Sequence, residues 1–132
     1  MGVWLAAAVG AVAYFVLGAA WFTPLFGRVW DRSIGYDRAT GGGRFPISYY
    51  LVPLITALVI ASVLGALAHA LAIDGLLQGT VLGAGMGIAT AAASLTNALT
   101  PHTPHPYLFG AVTGGYHFVG CTLTGLLIGT LG

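Results

Sequence analysis

Four stretches of this chain run for twenty or more residues without an aspartate, glutamate, lysine or arginine: Val3 to Phe22, Ile47 to Leu71, Gly75 to Ala98 and Tyr107 to Leu131. At 1.5 Å per residue, each is long enough as a helix to cross ~30 Å of hydrocarbon. A backbone in lipid must satisfy its own hydrogen bonds, so runs of this length are committed to helix. The expected fold class is therefore all-α integral membrane: four transmembrane helices in a small antiparallel bundle, with residues 1–132 forming a single domain. The charged fraction of 5% is far below the roughly 25% of a soluble domain. A formal net charge of +1 excludes the basic footprint of a nucleic-acid binder, and the single cysteine, Cys121, excludes an intrachain disulfide.

The third run is the most restrictive. Gly75, Gly79, Gly83 and Gly87 fall on one helical stripe, and Ala91 continues it. Lipid supplies little hydrophobic force between helices, so a ridge without side chains works by letting another backbone approach and gain dispersion contacts. The fourth run carries two further pairs of the same kind, Gly110 with Gly114 and Gly125 with Gly129. In the second, Ala57, Ala61, Gly65 and His69 share a stripe. These faces are expected to be buried against neighbouring helices. The short turn around Asp74 makes spans two and three a candidate hairpin, and the proline-rich turn centred near Thr103 does the same for spans three and four.

The first run has Trp4 and Trp21 near its ends, where amphipathic rings prefer the interface, and it reads as a retained span rather than a cleaved signal. All four arginines, Arg28, Arg32, Arg38 and Arg44, follow it in the one strongly charged loop. Phe26, Trp30 and Ile34 recur there at helical spacing, which predicts a short interfacial helix between helices one and two, followed by a Gly41-Gly42-Gly43 link. Arginines in such a loop anchor it among lipid headgroups and direct it to the cytoplasm, which places both termini outside.

Several residues resemble a known family. Trp21-Phe22-Thr23-Pro24-Leu25-Phe26-Gly27 followed by Trp30 and Gly35, and the later Tyr107-Leu108-Phe109 and Gly115-Tyr116-His117 with their glycine-rich tail, resemble the bacterial membrane family designated domain of unknown function 1761. That resemblance implies four transmembrane helices, self-association, a location in the bacterial inner membrane, and no established activity.

Intramembrane polar residues form two stripes: Thr90, Ser94 and Asn97 on the third helix, and Thr113, His117, Cys121 and Thr124 on the fourth. A closed metal site needs about four ligands. Neither stripe supplies the rest, so neither metal nor cofactor is expected, and interhelical hydrogen bonds, each worth about 0.6 kcal/mol, explain the pattern instead. With a turn near Thr103, Thr90 and Ser94 come close in depth to His117, which is expected to point inward, stay neutral and bond one of them. His102 and His105 stand three apart, but in a polyproline-like segment that step is ~9 Å and one metal cannot take both. His69, near the end of its span, is expected to cap the helix or bond the Asp74 turn.

No aspartate or glutamate lies in a span to couple protons, no serine-histidine-acid set exists, and no phosphate-binding glycine loop occurs. The sequence therefore reads as a non-enzymatic membrane protein acting through helix association, as a homo-oligomer or an accessory subunit beside a partner membrane protein, in contact with membrane lipids. The alternative is a small oligomeric transporter or channel.

Overall fold

The computed structural model describes residues 1–41 and 44–132, and every regular element among them is helical. Helix α1 spans Val3–Ala20, α2 Gly27–Ile34, α3 Ser48–Ala70, α4 Leu76–Ala98 and α5 Pro106–Leu131. Four of the helices are long and apolar enough to cross a membrane, the first including residues through Leu25. The expected spans match these to within a few residues. Of the glycine link, Gly42 and Gly43 lie outside the described residues.

Local chemistry sets the helix ends. Pro24 has no N–H to give to α1, and the chain widens into one π-helical turn, Trp21–Leu25, in which the Phe26 N–H reaches back to Trp21 O at 2.7 Å. Helix α2 closes on Gly35 in the left-handed region (φ 67°), with Gly35 N–H donating to Arg32 O and Tyr36 N–H to Asp31 O. The same pair of bonds closes α3, but there the left-handed residue is Ala72 (φ 51°), whose N–H donates to His69 O while Ile73 N–H donates to Ala68 O. The expected cap by the His69 side chain is replaced by backbone: its carbonyl accepts from Ala72, and its side chain is exposed.

Packing is inverted relative to a soluble protein. Small residues fill much of the interior, including Ala6, Ala7, Ala11, Ala57, Ala61 and Ala68, while Val12, Val16, Ile55, Leu77, Val81 and Ile88 point outward. This is the arrangement lipid permits, because surrounding acyl chains solvate leucine as well as a core does.

Helix α5 is the hub. Its most extensive contact is with α4 and its second with α1, while α3 packs mainly on α1 and reaches α5 through Ala57, Leu64 and Ala68. Although α3 and α4 are joined by a short turn, the arms of that expected hairpin share little contact; α4 pairs with α5 instead. Across α4–α5, Gly79 faces Gly125 and Gly129, Gly83 faces Cys121, Gly87 faces Phe118, Ala91 faces Gly114 and Leu95 faces Gly110. Numbers rise on one helix as they fall on the other, so this pair runs antiparallel in the register expected from a turn near Thr103. A Cβ at Gly87 would stand 2.8 Å from Phe118 Cα, and one at Gly79 2.8 Å from Gly129 Cα. Gly75 departs from the expected stripe. It is the extended residue before α4, and a Cβ there would meet nothing within 4 Å, although its carbonyl abuts Gly129.

Candidate functional site

On its other side α5 meets α1 through side chains. Tyr14, fully buried on α1, places its hydroxyl 2.5 Å from His117 Nδ1 and 3.7 Å from Cys121 Sγ. Cys121 Sγ lies in turn 3.8 Å from Thr90 Oγ1 on α4. A hydroxyl, an imidazole, a thiol and a second hydroxyl therefore connect three helices at mid-bundle. Gly120 makes room for it, since a Cβ there would run into the Tyr14 ring. Tyr116 packs edge-on to Tyr14 with centroids 5.1 Å apart, and its hydroxyl lies over Gly18.

The expected partner of His117, Thr90 or Ser94, is corrected by this geometry. Phe118 is the residue whose backbone faces Gly87 on α4. One residue back on a helix is a turn of about 100°, which carries His117 off that face and toward α1. Thr90 instead donates within its own helix, to Met86 O or Gly87 O at 3.0 Å, and Ser94 donates to Thr90 O. Asn97 is exposed. Thr124, fully buried, is placed to donate to Gly120 O at 2.9 Å and reaches Gly10 O at 3.3 Å, which ties α5 to α1. The Thr113 hydroxyl is buried without a hydrogen-bond partner among the described residues.

His117 and Thr113 also line a cavity of about 440 Å³ at the charged-loop end of the bundle. Its walls come from four separate parts of the chain. Phe15 belongs to α1 and Phe22 to the π turn; Trp30 lies on α2; Phe45 precedes α3, and Tyr49 and Tyr50 lie in its first turn; Phe109 and Tyr116 lie on α5. The walls are thus mainly aromatic, and Phe22 joins them through edge contacts to Trp30 and Tyr116.

Arg38 is part of the same wall. Its Nε stands 2.6 Å from Asp31 Oδ2, its Nη2 donates to Phe22 O at 2.7 Å, and its guanidinium lies 5.3 Å from the Phe45 ring centroid. The ion pair is close without hydrogen-bond alignment: Arg38 Nε and Asp31 Oδ1 are both buried without a hydrogen-bond partner among the described residues. The grouping of Arg38 with the headgroup arginines is therefore corrected. Arg28, Arg32 and Arg44 are exposed, but Arg38 turns inward because Asp31, buried as α2 packs on α5, requires a counter-charge. The proline-rich turn braces this end through His105 N–H, which donates to Ser33 O at 3.1 Å; His102 and His105 are both exposed. Among the described residues no group of three or more His, Cys, Asp or Glu side chains could hold a metal.

Sequence reasoning missed Tyr14, Asp31 and the convergence of aromatics. The available signals were a hydroxyl-bearing ring in the middle of an uncharged span, and an acid among four arginines with no other role.

Fold and site together define a four-span helical membrane protein with a backbone-packed helix pair on one side and an aromatic cavity on the other. The model of the family described as protein of unknown function (DUF1761) matches residues 5–129, and the chain belongs to that family. Neither the curated proteins nor the solved structures contain a match to it.

Proposed function

We propose that this protein is a non-enzymatic, lipophile-binding protein of the cell membrane. The observation that carries the reading is the aromatic cavity of about 440 Å³, which lies in the size range of small-molecule sites and combines mostly apolar walls with a few polar groups. The chain forms an antiparallel four-helix bundle. Its charged loop and α2 lie at the cytoplasmic interface, both termini lie outside, and the cavity sits at the level of the cytoplasmic leaflet. Arginine bias over a short loop supports that orientation, since the other connections carry no lysine or arginine. Self-association or an accessory role beside a partner chain draws less support, because α4 and α5 use their glycine faces on each other and α3 uses its small residues on α1.

Binding is tested with the full chain in detergent micelles, titrated with 2-methylnaphthalene and followed by thermal midpoint. A saturable rise that Thr56→Phe removes by filling the cavity is expected; a response that never saturates, or is equal in the variant, rejects the reading. Orientation is tested with Thr40→Cys, since the native Cys121 is buried and shielded from a membrane-impermeant maleimide. Labelling from the cytoplasmic side is expected, and labelling from the outside rejects the topology.

A further inference from the structure

The geometry points to a specific ligand class for this cavity: a neutral, planar ring bearing a carbonyl acceptor, of the quinone or aromatic-ketone kind, held by a donor from His117. The inference rests on the lipophile-binding reading above and adds the chemistry that selects among lipophiles.

Charge is the first filter. Among the described residues Arg38 is the one charged side chain in the wall, and it is already engaged by Asp31 and by Phe22 O. An anion gains little from a guanidinium so occupied. A cation would find aromatic faces but also that guanidinium, and no carboxylate among the described residues lines the wall. A neutral molecule meets neither penalty.

The polarity of the hydrogen-bonding groups is the second filter. The Tyr14 hydroxyl has two acceptors within reach, the imidazole at 2.5 Å and the thiol at 3.7 Å, and the unprotonated imidazole nitrogen is much the stronger. Tyr14 therefore donates to Nδ1, which assigns the ring proton to Nε2. Nε2 makes no hydrogen bond to the protein among the described residues, and unlike Thr113 Oγ1 it is not shut away from the surroundings. His117 thus offers the cavity a donor. The Thr113 hydroxyl, one helical turn earlier, is buried too completely for a ligand atom to reach it, so the imidazole is the donor. A group that donates selects a ligand oxygen that accepts, and Phe22, Trp30 and Tyr116 give the ring flat surfaces to pack on. Tyr14 acts here as a positioning residue. It touches no ligand and holds the imidazole in the tautomer that donates.

The test compares 2-methyl-1,4-naphthoquinone with 2-methylnaphthalene, which share a ring system and differ in the two carbonyls, on the full chain in detergent micelles at equal micellar mole fraction. The quinone is expected to bind about tenfold tighter, the effect of one net hydrogen bond. His117→Phe is expected to reduce that preference severalfold while the naphthalene binds as before, and Tyr14→Phe to reduce it less. Because His117→Phe can disturb folding, Tyr14→Phe, which keeps the ring packing, carries the decision if the His117 variant is unstable. Equal affinity for the two rings overturns the inference and leaves the cavity reading intact. Tighter binding of N-methylquinolinium than of either neutral ring also overturns it. Saturable binding of none of the three overturns the cavity reading, and this inference with it.

Discussion

The two faces of α5 are built on opposite plans. Toward α4 the contact is made by backbone: glycine meets glycine, and carbonyl oxygens occupy the positions where side chains would stand. Toward α1 it is made by Tyr14, Tyr116, His117 and Thr124, large or polar groups that hold the helices apart and need partners. The first contact has one solution, because any added atom meets main chain that cannot rotate away. The second leaves room, since rings meeting edge to face enclose space that methyl groups would fill. Rigidity and a cavity thus occupy opposite sides of one helix. The glycine side anchors α5 while its other face borders the cavity.

That contrast can be broken most severely at Gly83. A leucine there drives its Cβ into Cys121 O, and neither backbone can yield. We expect Gly83→Leu to separate α4 from α5 and cost about 3 kcal/mol or more, read as loss of a folded species in detergent by thermal melting. At Gly85, two residues along the same helix, an added Cβ would meet nothing within 4 Å, so Gly85→Leu should leave the melting midpoint unchanged. Equal damage from both would mean that something other than the α4–α5 backbone contact sets the response, since leucine is the better helix former at either position.

On the cavity side the largest effect is expected at Arg38. Arg38→Ala strands the buried Asp31 carboxylate and should cost on the order of 3 kcal/mol, while Arg28→Ala, at an exposed position, should cost nothing measurable. Asp31→Asn combined with Arg38→Gln should recover much of the loss, and thermal midpoints of the unaltered chain, the two single variants and the double measure the coupling. A smaller effect belongs to Tyr14→Phe, which keeps the ring packing and removes the hydroxyl shared by His117 and Cys121. About 1 kcal/mol is expected, with helix content by circular dichroism unchanged. The smallest effect is at Ala72, outside both faces. Its left-handed conformation is one glycine adopts without strain, so Ala72→Gly should raise stability by roughly 0.5 kcal/mol.

The glycine side was largely legible in advance. Glycine every fourth position announces a close helix contact, and a short turn near Thr103 makes the register of the next helix nearly unavoidable, so Gly83 and Cys121 come out opposite each other. The cavity side was legible only in fragments. His117 was identifiable as the imidazole that must find a partner, but Tyr14 lies 103 residues away, and its mid-span position does not say which helix it faces. Arg38 was indistinguishable from Arg28, Arg32 and Arg44 while the burial of Asp31 was unknown.

By itself the sequence determined that the protein is helical, that it has four spans, and that α4 must press against a neighbour. Those properties follow from local chemistry: uncharged length forces backbone hydrogen bonds inward, and a missing side chain permits contact wherever the helix goes. Only the tertiary structure decided that α3 leaves α4 for α1, that His117 turns to Tyr14, and that aromatics from four parts of the chain surround one cavity. The physical reason is that lipid solvates every apolar face nearly equally, so hydropathy cannot say which helix lies beside which. That choice is made by the fit of side chains and backbones brought together from distant positions in the chain.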